Sequence, residues 1–320
     1  MKKPLCVLLI LLLLAVASLL LLPMAGMKFI PLWSEGKELD ILLLFRFPRV
    51  FCAFIAGAML SLSGLAFQTL FRNALATPFT LGVSSGATLG IALFIRLGLV
   101  FSLPGFSSLS IAAFCGSLLA VGLVYGLTRL KSCFSITTLL LAGIAVNFFF
   151  SSLVLLIQDF SDPAESFRMV KWMMGSLASA DYPRLFNLLP FLAVGGTVML
   201  LLHREMNLLM VGEDLALTRG VPTGRIKKLL FFSTSLMVAG VVANFGPIGF
   251  VGMMSPHICR LLIGADHRWL TPAALLFGGA FLAVCDTFAH SLPSGAEIPV
   301  GIITALLGGP FFIWLLLSRR

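Results

Sequence analysis

Residues 245–268 read FGPIGFVGMMSPHICRLLIGADHR, an apolar run broken in its first half by Gly246, Pro247, Gly249, Gly252 and Pro256 and carrying His257 and Arg260 in its second. Glycine and proline interrupt regular backbone pairing, and hydrocarbon offers the freed polar groups no partner. A break at membrane depth survives only where protein or a water-filled cavity satisfies it. The stretch therefore reads as part of a pathway rather than as a simple anchor.

The rest of the chain supports that setting. Of 320 residues, 59% are hydrophobic and only 11% charged, against about 25% charged in soluble domains. Apolar segments near 5–22, 50–70, 79–100, 107–128, 134–157, 185–202, 228–245, 248–263, 270–289 and 298–317 predict ten transmembrane helices in one domain spanning 1–320. The class is all-α, because the runs are long and lack the alternation of a barrel strand. Leu5–Leu22, preceded by Lys2 and Lys3, imitates a secretory signal. Its apolar run exceeds the roughly 7–15 residues of a signal core and no clear cleavage site follows, so it is read as the first span.

With the N-terminus inside, fourteen Lys and Arg residues fall on the inner side and eight on the outer, which predicts cytoplasmic N- and C-termini. Trp33, Trp172, Trp269 and Trp314 each lie near a predicted span end, as an interfacial belt requires. The net charge of +9 does not point to nucleic acid, since the charges punctuate apolar runs instead of forming a basic face. The six cysteines are spaced singly and read as small buried hydrophobes, not as a metal or disulfide set. Four scattered histidines, none four residues from another, give no metal site.

Energy coupling is constrained by what is missing from the pattern. No phosphate-cradling G-x-x-x-x-G-K-[ST] loop occurs, so any ATP and Mg would be bound by another chain, and this chain is expected to be neither enzyme nor cofactor holder. Only Asp286, of 13 acids, lies within a predicted span. Its i, i+4 spacing to His290 reads first as a local pair and second as a proton relay. That scarcity argues against a self-sufficient ion-coupled carrier. His257 and Arg260 read most simply as polar residues at an inner helix end, pairing with backbone or reaching toward water.

Two connections stand out. Ser161-Asp162-Pro163 predicts an N-cap and first turn for a short helix over AESFRMVKWMMGSL, with Phe167, Val170 and Met174 on one face. It is too short to span and reads as a surface or re-entrant element. The connection 203–228 holds a short polar helix, Glu213 to Arg219, flanked by Gly212 and Gly220, with charges that suit its dipole. It reads equally as a docking element or as a solvated connector.

Six segments carry a resemblance: RFPR at 46–49, SGLAFQTLFRNALATPFTLGVSSGA at 63–87, LLLAG at 139–143, WMMGSL at 172–177, GPIGFVGMMSPHICRLLIGADHR at 246–268 and EIPVGIITALLGGPFFIWLL at 297–316. In this order and spacing they resemble the FecCD family of ABC-importer permeases, the type II importers of vitamin B12, haem and ferric siderophores. The resemblance implies a homodimer, or a pair of similar permeases, of ten-helix subunits in the cytoplasmic (inner) membrane of a bacterium or archaeon, surrounded by membrane lipid. Two cytoplasmic ATPase subunits would dock below and an external substrate-binding protein above.

By the same resemblance, Gly212, Glu213, Asp214, Ala216, Arg219 and Gly220 correspond to the ATPase-coupling segment. Arg46 and Arg49 correspond to outer arginines that meet the binding protein. Ser84, Ser85, Thr137 and Thr138 fall in the cytoplasmic gates. The family's D-x-x-A-R segment reads DTFAH at 286–290, so His290 stands where an arginine is common. Gly246, Pro247, Gly249, Gly252, Pro256, His257 and Arg260 are assigned to transmission between helices. The pathway is expected to be mostly apolar with Ser, Thr and Met linings. A molybdate-type oxyanion importer and a single-chain secondary carrier remain the alternatives.

Overall fold

The computed structural model describes residues 2–26, 28–99, 107–130, 136–292 and 297–318. Among them every regular element is helical. The first half holds α1 (Lys2–Leu21), α2 (Lys37–Ile41), α3 (Phe47–Phe71), α4 (Val83–Arg96), α5 (Ser108–Leu130) and α6 (Ile136–Asp159). The second holds α7 (Pro163–Met173), α8 (Tyr182–Leu201), α9 (His203–Val211), α10 (Glu213–Thr218), α11 (Thr223–Phe245), α12 (Val251–Ile263), α13 (His267–Ser291) and α14 (Val300–Ser318).

Each of the ten predicted spans contains a helix, but they are not equal. Among the described residues seven are long and apolar enough to cross a bilayer, whereas α4 and α12 are shorter. At about 1.5 Å per residue, α4 and α12 reach only ~20 Å of a ~30 Å core. The reason lies in the breaks before them: Pro78–Leu81 forms a 3-10 turn, and the chain between Phe245 and Val251 leaves the helix altogether.

Helix α3 is the hub, buried over nearly its whole length from Val50 to Leu70. Gly57, Ser61 and Gly64 share one face and let two neighbours approach to backbone contact. A Cβ at Gly57 would lie 2.2 Å from the Gly278 carbonyl of α13, and one at Gly64 only 1.6 Å from the Gly252 carbonyl of α12. Ser61 Oγ donates to the Ala274 carbonyl at 2.7 Å, adding a polar tie across the α3–α13 seam. Lipid tails are as apolar as leucine, so helices there associate through this kind of close packing and not through water exclusion. Gly86 and Gly116 repeat the device between α4 and α5.

Two expectations change. The connection after α8 holds two helices, α9 and α10, where a single short one was expected. Asp162 does not cap α7 through its side chain: its carbonyl accepts from the Ser166 N–H at 2.9 Å, and Ser161 Oγ donates to the Ile157 carbonyl at 2.7 Å. Proline at the first position suffices to start that helix, because its missing N–H needs no partner there. Phe167, Val170 and Met174 are exposed, and Met169 is the side chain that α7 buries.

Gly64→Ala is expected to cost more than the roughly 1–3 kcal/mol of ordinary overpacking, because the new methyl meets backbone that cannot rotate away. Gly122→Ala, with nothing within 4 Å, is expected to leave the protein unharmed. Melting temperatures of the two detergent-solubilised variants check this, and equal melting points would contradict it.

Candidate translocation site

A cleft of about 260 Å³, in which polar side chains stand among apolar ones such as Val154 and Leu155, opens between α4 and α6. Ser84, Ser85 and Thr88 line it from α4, and Asn147, Ser151 and Gln158 from α6. Positions 147, 151 and 158 differ by four and seven residues, so they fall on one helical face. Met173 and Pro247 close the end of the cleft. Polar side chains inside transmembrane segments are expensive to keep and gather where a passage or a partner needs them.

Pro247 brings the opening stretch to this cleft. The turn after α7 is inserted between the α11–α12 break and the start of α14. Ser176 N–H donates to the Phe245 carbonyl at 2.8 Å, and Gly301 N–H donates to the Gly175 carbonyl at 3.2 Å. Gly175 is left-handed, and a Cβ there would lie 2.3 Å from the Pro247 carbonyl. Gly246 is also left-handed and faces the Trp172 carbonyl, 2.5 Å from where a Cβ would sit. The Phe245 carbonyl freed by the break is thus met by another backbone, which is how irregular chain is tolerated at this depth.

At the end of the bundle beside the α3 N-terminus, Arg49 donates from Nε and Nη2 to the two oxygens of Asp286, at 2.7 and 3.1 Å, and from Nη1 to Glu297 at 3.0 Å. The Arg49 side chain is 14% exposed and that of Asp286 2%. The expected local Asp286–His290 contact is present, but it is the weaker of the two that Asp286 makes. The carboxylate belongs to Arg49 across the bundle, and His290 Nδ1 lies 2.8 Å from the Asp286 carbonyl but 3.8 Å from its carboxylate. A bidentate guanidinium outcompetes a single imidazole contact. Arg46 is committed as well, donating to the carbonyls of Pro23, Met24, Ala25 and Lys28.

At the opposite, basic end, α9 is tied to the bundle by Arg72, whose Nε donates to the Leu209 carbonyl at 2.9 Å. Asn207 takes the His267 N–H at 2.9 Å and gives its amide to Asp266 at 2.8 Å. Donation from the Arg268 N–H and from Asn207 holds the Asp266 carboxyl below its ordinary range. Glu213, the first residue of α10, bonds Lys227 and Thr223 of α11. Asp214, Leu215, Leu217 and Arg219 remain exposed, whereas Ala216 is fully buried and seats the helix.

The chain matches the FecCD transport family over residues 5–318. The chain belongs to that family. It is 39% identical to the hemin transport system permease protein of Yersinia pestis, over 92% of this chain and 89% of that one. It is 38% identical to the vitamin B12 import system permease protein of Klebsiella pneumoniae, over 96% and 92%. Among solved structures, a metal-chelate type ABC transporter in an inward-facing conformation superposes with a TM-score of 0.87 at 33% identity, covering 98% of this chain and 99% of that chain.

In this FecCD permease the sequence-predicted residues separate into clear groups. Ser84 and Ser85 lie in the cleft, while Thr137 and Thr138 sit in the first turn of α6, roughly 14 Å along the helix from Asn147. Ser135 lies outside the described residues. Gly252 packs on α3 and Gly249 meets nothing, so only the first of the two is a contact. His257 is 5% exposed, which corrects the expectation that it reaches toward water. Arg260 does not pair fully with backbone, because its Nε and Nη2 are buried without a hydrogen-bond partner. Thr88, Asn147, Ser151 and Gln158 were missed, although their spacing within apolar helices was visible as a polar face.

Removing one partner of the Arg49–Asp286 pair leaves the other charge buried, at a cost of about 3–5 kcal/mol. Arg49→Ala and Asp286→Ala are each expected to destabilise the permease by that order. The double variant should lose much less than the sum. Thermal unfolding of the three proteins measures the coupling, and strict additivity would contradict it.

Proposed function

We propose that this chain is the membrane-spanning subunit of an ATP-driven importer that moves an iron–siderophore, haem or cobalamin-type substrate. Membership of a transport permease family supports the transport role, and the names of the relatives support the substrate class. The observation that carries the proposal is the cleft along α4 and α6. The Ser85 and Thr88 hydroxyls already donate to backbone carbonyls, so the amides of Asn147 and Gln158 are the groups that lipid would leave short of partners; facing a second permease subunit, the cleft becomes half of a passage. A symmetric homodimer closes such a cleft with one kind of chain.

Two ABC ATPase subunits bind and hydrolyse ATP with Mg at the basic end, which is the cytoplasmic end, so both chain termini are cytoplasmic. Their contact is α10 and its flanks: Gly212, Asp214, Arg219 and Gly220 at the surface, with Glu213 and Ala216 holding the helix in place. Ser84, Ser85, Thr137 and Thr138 gate the cytoplasmic side. Gly246, Pro247, Gly249, Gly252, Pro256, His257 and Arg260 transmit the motion, since the break joins the α7 turn, α3 and α14. An external binding protein delivers substrate at the end bearing Arg46, Arg49 and His290. Because Asp286 already holds Arg49, a carboxylate of that protein competes with Glu297 for the remaining guanidinium edge. The setting is the inner membrane of a bacterium or archaeon.

Asp214 and Leu217 are the informative probes of ATPase docking, because both are exposed on α10 and neither side chain has a hydrogen-bond role in the fold. Asp214→Lys and Leu217→Asp are each expected to weaken ATPase attachment by roughly tenfold, the equivalent of about 1.4 kcal/mol. Co-purification of the ATPase with each variant reads the effect. Undiminished attachment and transport would refute the assignment of α10.

A further inference from the structure

A pocket of about 470 Å³ lies at the basic end, where α8 gives way to α9 and meets the start of α13. Leu200, His203, Arg204 and Asn207 form one side of it, and Asp266 and Arg268 the other. Arg204 and Arg268 are exposed, and neither guanidinium is spent on Asp266. That carboxylate accepts from the Arg268 N–H at 3.0 Å and from the Asn207 amide at 2.8 Å, both on Oδ1. These bonds hold the carboxyl below its ordinary range and leave Oδ2 without a bond among the described residues. His203 is fixed through Nδ1, which lies 2.7 Å from the Leu200 carbonyl. Two cations and one anion therefore share a small space without pairing.

An anion alone would meet the two arginines but also the Asp266 carboxylate, and a cation alone would meet the carboxylate but also the arginines. A ligand carrying both signs satisfies all three, because matched placement of charge selects a partner. The planar fork of arginine fits the oxygens of a phosphate, and an ammonium with N–H groups fits a free carboxylate oxygen. The depth of the pocket names the source of such a ligand. It sits where the apolar span Tyr182–Leu201 ends and the span His267–Ser291 begins, at the boundary between hydrocarbon and water. Trp269 stands beside it with the Arg268 guanidinium 5.3 Å from its ring, an arrangement suited to a head-group layer. From Leu200 at the rim, Thr197, Ala193, Leu189 and Phe186 follow along α8 at three- or four-residue spacing, and all are exposed. A mostly apolar stripe thus leads from the pocket along the span.

We propose that this pocket binds the zwitterionic head group of a phosphatidylethanolamine lipid. The phosphate lies on Arg204 and Arg268, the ammonium on Asp266 Oδ2, and an acyl chain along the exposed stripe of α8. Phosphatidylcholine fits less well, because its trimethylammonium has no N–H to donate. Phosphatidylglycerol also fits less well, because it brings no cation to Asp266. The proposal does not rest on the transport reading, and none of the residues it uses lies in the α4–α6 cleft or on α10.

The test is native mass spectrometry of the full chain, purified with its partner subunits and given phosphatidylethanolamine, phosphatidylglycerol and phosphatidylcholine with identical acyl chains. The wild type is expected to retain phosphatidylethanolamine over the other two. Arg204→Gln and Arg268→Gln should each cut that retention about fivefold, the share of one basic residue near a lipid surface. Asp266→Asn, which keeps an oxygen for the Arg268 N–H, should erase the preference over phosphatidylglycerol. Lys228→Gln, exposed on α11 outside the pocket, should change nothing. Glycerophosphoethanolamine, which lacks the acyl chains, should not displace the lipid at equal concentration. If Asp266→Asn fails to fold, the wild-type ranking and Arg204→Gln decide, because the Arg204 side chain is exposed and bonds nothing among the described residues. Equal retention of the three lipids, a preference for phosphatidylglycerol, displacement by the bare head group, or indifference to the Arg204 and Arg268 changes overturns the proposal. So does loss of ATPase co-purification in those variants with lipid retention unchanged, which would make the pocket a protein contact.

Discussion

The architecture depends on two places where α3 touches a neighbour through backbone alone. At Gly57 against Gly278, and at Gly64 against Gly252, there is no room for a β-carbon. In water such contacts would be minor beside the burial of large side chains. In lipid that burial offers little net drive between helices, and close approach supplies the dispersion and dipole contacts that hold a bundle together. The Gly252 contact also anchors α12 immediately after the break at 246–250. The most irregular part of the chain is thereby fastened to its most buried helix.

That fastening links the three functional regions. The break receives the turn after α7 on one side and sends Pro247 into the cleft on the other. From the break, α12 runs down to His257 and Arg260 at the basic end, where Asn207, Asp266 and His267 tie α9 to α13. At the far end, Arg49 and Asp286 clamp the first turn of α3 to the last turns of α13. On the proposed docking, a displacement of α10 would reach the cleft through the side-chain ties of α9 to α3 and α13, through α12 and through the backbone contacts of the break. Packed elements of this kind respond as units.

Much of the fold was legible because membrane insertion writes itself into composition. Ten long apolar segments read as ten helices, and each of them does contain one. The lengths of α4 and α12 were less legible, since hydropathy counts the residues of a break as though they were helical. In the cleft, Ser84 and Ser85 were named by resemblance, whereas Asn147, Ser151 and Gln158 were overlooked although their spacing puts them on one face of α6. The main partner of Asp286 was also out of view, because spacing reveals His290 four residues away but not Arg49, 237 residues earlier. Long-range ion pairs depend on which helix ends meet, and one sequence does not encode that as a local pattern.

The most direct test of the central claim is substrate uptake into sealed vesicles containing this chain. Uptake should require the ATPase partner with ATP and Mg on its side of the membrane and the binding protein on the other, and should persist when proton and sodium gradients are collapsed. Uptake by this chain alone, driven by an ion gradient and indifferent to ATP, would contradict it.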